Sequence, residues 1–239
     1  ARADERLKVV ASFTILADFV RNVGGDRVDV VALVGPNADA HVYTPSPAAA
    51  KTIAAAKLVL VNGLGFEGWL PRLVKSSGGT ARIVVATDGI VPLKEPAGGH
   101  HSVDPHAWQS VSNAKVYAEN IRRALAEVDP ASADSYRANA ERYVVQLDAL
   151  DRDVRAMVAQ IPEARRKVIS THGAFGYFAA AYGVTFVAPQ GVSTDSEPSA
   201  RDLARIIAQI RKEKIPAIFL ENISDPRLIR RVAAETGAK

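Results

Sequence analysis

The stretch ASADSYRANAERYVVQLDALDRDVRAMVAQI, residues 131–161, decides the fold. It contains neither Gly nor Pro before Pro162, and its apolar and aromatic positions fall at Tyr136, Ala140, Tyr143, Leu147, Leu150, Val154, Met157 and Ile161. Steps that alternate between four and three are the seam of one amphipathic helix. At 1.5 Å per residue that seam runs about 39 Å, roughly the width of a small domain. A rod of this length joins two lobes more readily than it sits inside one. The alternative, a coiled-coil dimerisation helix, has less support because the seam is short and lacks a charge code at its flanking positions; a monomer is expected.

Outward from the rod, both flanks alternate between short apolar runs and helical patterns. On the N-terminal side the runs Leu7–Ala11, Val28–Leu33, Leu58–Asn62 and Arg82–Ala86 read as strands. Between them lie helices at about Ile15–Val23 (stopped by Gly24-Gly25), Ser46–Ala56 and Glu67–Lys75. On the C-terminal side strands at Lys167–Ser170, Thr185–Ala188 and Ile218–Leu220 alternate with helices at Ala174–Tyr182, Ser199–Glu213 and Pro226–Thr236. Apolar strands alternating with helices predict parallel sheets covered on both faces. The fold class is therefore α/β: an N-terminal lobe over 1–129, a linking helix over 130–161 and a C-terminal lobe over 162–239. The C-terminal lobe reads as incomplete, with three strands against four and with Gly237-Ala238 leading out of a helix.

Composition limits the function. With 239 residues, 48% of them hydrophobic, the chain can bury one large core or two modest ones. No uninterrupted apolar run approaches the ~18–20 residues of a membrane-spanning helix. Thirty Lys and Arg against 26 Asp and Glu leave a net charge of 30 − 26 = +4, spread along helices, so nucleic acid is not an expected partner. No Gly-rich phosphate loop is present, since Gly24-Gly25 and Gly63-Leu64-Gly65 lack the spacing and the Lys of such motifs. With no Cys there is no disulfide, thiolate ligand or thiol nucleophile, a metal would be held by His, Asp, Glu or backbone, and a lipidated N-terminal Cys is not expected of this mature form. The opening Ala1-Arg2-Ala3-Asp4 reads as the edge left by signal-peptide removal.

Five His stand out. His100 and His101 are adjacent in a Gly- and Pro-interrupted loop, whereas His41, His106 and His172 each follow a predicted strand. Ligands of open α/β sheets bind beyond the carboxyl ends of strands, so these three imidazoles could meet in a cleft between lobes. Imidazole suits Zn²⁺, and three of them leave one tetrahedral position open or carboxylate-filled. The separations, 65 and 66 residues, make no local motif. The competing reading takes His41 and His106 as loop residues bonded to backbone and His172 as a residue near a helix start.

The residues around these His carry a resemblance. Val9-Val10-Ala11-Ser12-Phe13, Gly35-Pro36-Asn37-Ala38-Asp39-Ala40-His41-Val42-Tyr43-Thr44-Pro45-Ser46-Pro47, Asp104-Pro105-His106-Ala107-Trp108 and Thr171-His172-Gly173-Ala174-Phe175-Gly176-Tyr177-Phe178 occur in this order. Together they resemble the periplasmic zinc- or manganese-binding proteins of ABC transporters, more closely the zinc-uptake branch. The likeness spans essentially the whole chain, including two small α/β lobes around one long helix. It implies that His41, His106 and His172 are metal ligands. It also favours zinc over manganese, because manganese-type members have Glu at the third position. His100 and His101 resemble a much-shortened version of the family's His-rich loop, with metal capture and plain solvation weighing equally.

The family's fourth ligand, an Asp, falls beyond Lys239, so no residue of this chain matches it. Glu197 and Glu221 are candidate substitutes, each weighed against a capping or loop hydrogen bond. Asp104, two residues before His106, is either the acceptor that orients an imidazole or a turn opener. Tyr43 and Trp108 are expected to pack around the cleft, and Phe66 and Trp69 to be ordinary core or surface anchors.

The expected function is a high-affinity zinc receptor of the periplasm that is not an enzyme and hands Zn²⁺ to a membrane permease, with an accessory zinc donor as a further partner. A zinc hydrolase is the rival, since three His and a water also make a catalytic site, but no His-Glu-x-x-His helix supplies a base. An adhesin-like surface protein is a third reading.

Overall fold

The computed structural model describes residues 6–94 and 103–238. By packing, these residues form two units. The first runs to Val91 and resumes over Val111–Leu150; the second holds Pro92–Ser110 and everything from Asp151 onward.

In the first unit four strands, β1 (Leu7–Phe13), β2 (Val28–Val34), β3 (Leu58–Val61) and β4 (Arg82–Val85), lie in the order β2-β1-β3-β4 with every neighbouring pair parallel. Helix α1 (Thr14–Gly24) ends where Gly25 takes φ 59°, a backbone state that costs Gly little. Helix α2 (Pro47–Ala55) starts at Ser46, whose hydroxyl accepts from the Ala49 N–H, with Pro47 in the first turn where its missing N–H does no harm. Helix α3 (Leu70–Ser77) packs on α2. Strand positions alternate between faces, so Val10, Val59 and Val61 meet Ile53, Leu70 and Leu73 of α2 and α3 in one core.

The opposite face is covered by α1, and α1 packs on α4 (Val111–Val128), an 18-residue helix not among the expected elements. Its buried positions Val111, Ala114, Tyr117, Ala118, Ile121, Ala124 and Leu125 have helical spacing, so the signal was present. Tyr117 lies edge-on to Phe19 of α1, with centroids 5.3 Å apart.

The long helix is α5 (Ala133–Ala159), 27 residues, contributing to the first unit up to Leu150 and to the second from Asp151. Tyr136, Ala140 and Leu147 are buried as the seam requires, whereas Leu150, Met157 and Ile161 are exposed. Beyond Leu147 the covered line moves on by one residue, through Asp151 and Val154 to the buried Val158. A helix of 3.6 residues per turn drifts about 20° per heptad against a strict seven-residue pattern, which produces this shift.

The second unit pairs β5 (Lys167–Ile169) with β6 (Thr185–Val187) in parallel. The strand expected at Ile218–Leu220 is reduced to a single parallel bridge between Ile218 and Ile169, and Phe219 and Leu220 are exposed. Helix α6 (Gly176–Tyr182) follows β5. Helices α7 (Ala200–Glu213) and α8 (Pro226–Thr236) begin at Ser199 and Asp225, whose side chains accept from Asp202 N and Arg227 N. Ile169, Ile206, Ile210, Ile215, Ile229 and Val232 form the core.

Packing groups Pro92–Ser110, and with it His106, in the unit that holds His172. The cause is local to the second unit. The Leu93 carbonyl accepts from Asp104 N (2.8 Å), Lys94 bridges Val103, and the Tyr177 hydroxyl of α6 takes the Leu93 N–H and donates to the Asp104 carbonyl, each at 3.0 Å. No helix among the described residues is long and apolar enough to cross a membrane.

Candidate metal centre

His106 and His172, 66 residues apart in sequence, present their Nε2 atoms to each other at 3.3 Å, and both rings are almost wholly buried. His106 precedes a 3-10 turn, Ala107–Gln109, and His172 stands three residues beyond the end of β5. Two nitrogens this close, neither separated by a carboxylate nor exposed to bulk water, repel when both rings are protonated.

Each ring is held from its other side. His106 Nδ1 lies 2.8 Å from Asp104 Oδ1, and the same oxygen accepts the His106 N–H at 2.9 Å. His172 Nδ1 lies 2.6 Å from Glu221 Oε2. The other Glu221 oxygen accepts from Thr171 N (2.9 Å), from His172 N (3.1 Å) and from the Thr171 hydroxyl. A carboxylate on Nδ1 keeps the proton there and leaves Nε2, on the side that faces the other ring, as the nitrogen with the lone pair a cation would take.

The electrostatics favour the same states. Burial lowers the His106 pKa, against the upward pull of Asp104, and the nearby His172 lowers it further. Burial pushes the Glu221 carboxyl up, but hydrogen bonding and charge from His172 and bonds from the Thr171–His172 segment outweigh it, leaving the carboxyl below its usual range. A neutral imidazole and an ionised carboxylate at neutral pH are the metal-ready forms.

The surroundings fix these groups in place. A Cβ built on Gly176 would come 2.5 Å from Asp104 Oδ2, so only glycine lets Asp104 reach its position beside α6. Trp108 lies edge-on to His106, with centroids 5.1 Å apart.

In the first unit His41 is half-buried on the loop after β2. Its N–H donates to Asp39 Oδ1 (2.9 Å), the Trp69 indole donates to the carbonyl of Ala40 (2.8 Å), and its ring meets Phe66 edge-on at 4.7 Å. Tyr43 packs edge-on against Trp69 at 4.8 Å. Phe66 and Trp69, expected to be ordinary anchors, thus contact the His41 segment directly.

Of the residues picked out from sequence, the second unit brings Asp104, His106, His172 and Glu221 together. Glu197 is exposed, where its charge acts on Arg227. His100 and His101 lie outside the described residues. Glu221, a candidate supporting residue or substitute ligand by sequence, has both of its oxygens against the Thr171–His172 turn. Gly176 and Glu67 carry no local mark of a site in the sequence: one is a Gly beside a helix start, the other a Glu after a Gly-rich turn.

Comparisons with known proteins give the family. Residues 9–239 match the family described as zinc-uptake complex component A, periplasmic. The iron-binding protein YfeA of Yersinia pestis is 36% identical over 236 residues, spanning 98% of this chain and 76% of that protein. The manganese-binding lipoprotein MntA of Halalkalibacterium halodurans is 34% identical over 234 residues, spanning 98% and 77%. Among solved structures, the periplasmic zinc binding protein TroA from Treponema pallidum superposes with a TM-score of 0.91 at 30% identity, spanning 97% of this chain and 84% of that one. The chain therefore belongs to the zinc-uptake component A family: it is an extracytoplasmic receptor, not an enzyme, that binds a divalent metal ion for an ABC transporter and works with that transporter's membrane permease and ATPase.

Proposed function

We propose that the cargo is Zn²⁺, held in the periplasm by the Nε2 atoms of His106 and His172 together with His41, and passed to the permease by ligand exchange without chemistry on the ion. The observation that carries this reading is the 3.3 Å separation of the two Nε2 atoms with a carboxylate behind each ring. Two nitrogens bound to zinc at about 2.0–2.1 Å and a tetrahedral angle stand about 3.3–3.4 Å apart. Imidazole is a ligand of intermediate softness that suits zinc, whereas carboxylate and water suit manganese. His172 occupies the position where manganese-type members have Glu. The relatives carry iron, manganese and zinc in their names, so the donor set of this chain, and not kinship, favours zinc.

In this reading Asp104 and Glu221 orient the imidazoles and strengthen them as ligands instead of binding the ion. An accessory donor protein could load the site by the same exchange.

The test is a titration of metal-stripped protein with Zn²⁺ and with Mn²⁺ against a competing chelator, repeated on His41→Ala, His106→Ala and His172→Ala. One tight zinc site, weakened in each variant and preferred over manganese, is expected. Equal or tighter manganese binding would overturn the choice of ion, and zinc binding that survives all three substitutions would overturn the site.

A further inference from the structure

His41 stands on no regular element, and its ring bears on Phe66. What holds Phe66 is a turn with an unusual backbone: Gly63, Leu64 and Gly65 all have positive φ, at 84°, 55° and 78°. The two glycines adopt this conformation at little cost, but for Leu64 it is strained by about 1–2 kcal/mol and persists only where the surroundings over-determine it.

The restraint is Glu67. Its side chain turns back on the turn it follows: Oε1 accepts from Asn62 N and from the Ser12 hydroxyl of β1, both at 2.6 Å, and Oε2 accepts from Gly63 N at 3.1 Å. The turn is closed by Phe66 N donating to the carbonyl of Gly63 at 3.0 Å. Asn62 is tied in as well, its side-chain carbonyl accepting from the Tyr117 hydroxyl and its backbone carbonyl from Thr87 Oγ1 (2.6 Å). Every partner of Glu67 is a neutral donor, and burial raises its pKa against their pull. A buried carboxylate is costly to place, and this one sits between the end of β3 and the aromatic residue that touches His41.

We propose that Glu67 is a positioning residue for His41: by pinning the 62–67 turn it sets Phe66, and Phe66 sets the angle at which the His41 imidazole is presented. The proposal rests on His41 being a metal ligand, and it deepens that reading. It identifies a carboxylate that never meets the ion yet controls how well one ligand is prepared for it.

Glu67→Gln tests this with minimal change of shape. The amide oxygen can replace Oε1, but the amide nitrogen then faces the Gly63 N–H, donor against donor. In metal-free protein, the His41 ring resonances, assigned by their loss in His41→Ala, should shift, while those of His106 and His172 stay in place. Zinc affinity measured by chelator competition should fall about tenfold, the lower end of what losing an outer-shell partner costs. Phe66→Leu should cause a similar loss, and the double variant should be no worse than about tenfold, because both changes act through one contact.

Unmoved His41 resonances, or losses that multiply to about a hundredfold in the double variant, would overturn the proposal. If the unaltered protein fails to bind zinc, it is the metal reading that fails, and the resonances of metal-free protein still decide the role of Glu67. Should Glu67→Gln not fold, Ser12→Ala removes one donor to the same oxygen and must shift the His41 resonances in the same direction.

Discussion

Replacing Glu221 by Gln isolates the orienting carboxylate of His172 without changing its size. In the native arrangement Oε1 takes two backbone N–H groups and the Thr171 hydroxyl, and Oε2 lies 2.6 Å from His172 Nδ1. If the amide keeps its oxygen on the backbone donors, its NH₂ points at Nδ1. The imidazole then carries its proton on Nε2 and loses the lone pair aimed at the metal. Turning the amide over only moves the mismatch onto the N–H groups of Thr171 and His172. In the first case the lone pair for the metal is lost, in the second the backbone contacts become repulsive, and in both a negative charge that strengthens the ligand is gone. Disrupting such outer partners costs about 10- to 100-fold in metal affinity, or about 1.4–2.7 kcal/mol. The assay is competition against a chromophoric chelator at neutral pH, with thermal unfolding of the metal-free protein as the control for folding. Zinc affinity within a factor of two of the unaltered protein, with the fold intact, would refute the claim that Glu221 sets the tautomer of His172.

Gly176→Ala suits helix α6 better than Gly does yet drives a methyl to 2.5 Å from Asp104 Oδ2; zinc affinity should fall by about tenfold, and crystallographic or spectroscopic evidence of an undisturbed His106 ring would contradict this. Protons compete with the metal for the imidazoles, and burial holds the His106 pKa down. The sign follows: near-neutral affinity is retained until the pH falls through and below the usual His range of about 6.5, then drops, with proton release on binding growing as the pH is lowered. Calorimetry in buffers of different ionisation enthalpy measures that release, and affinity that is flat from neutral to mildly acidic pH would exclude a His-built site. Ile53→Ala, at a fully buried position in the core between α2 and the sheet, should cost about 2–5 kcal/mol in urea unfolding of the first unit and leave the His106–His172 pair unchanged.

Much of the architecture could be read from local sequence. The βα alternation, the Ser46 and Ser199 caps and the Gly25 and Gly237 stops each depend on a few adjacent residues, so a one-dimensional pattern contains them. Helix α4 is equally regular over its 18 residues; its apolar stripe follows a Gly- and Pro-interrupted loop and is in good part Ala (Ala114, Ala118 and Ala124), which marks a core face weakly. The reduced strand at Ile218 was overestimated for a different reason: an apolar triplet favours a strand, but a ladder also needs a neighbour along its whole length, and Ile169 supplies one bridge.

The site divides along the same line. Sequence by itself determined which residues could bind a metal, since without Cys the soft ligands must be imidazoles, and it picked out Asp104 because that residue stands two positions from its His. Only the tertiary structure decided that the rings of His106 and His172 meet, that both Glu221 oxygens lie against the Thr171–His172 turn, and that Phe66 packs on His41 beside the turn held by Glu67. Those relations join residues separated by 66 positions (His106 and His172), 50 (Thr171 and Glu221) and 55 (Ser12 and Glu67). Periodicity and capping reach only a few residues along the chain. A lone pair is aimed by whatever folding brings against the far side of its ring, and that is decided by packing in three dimensions.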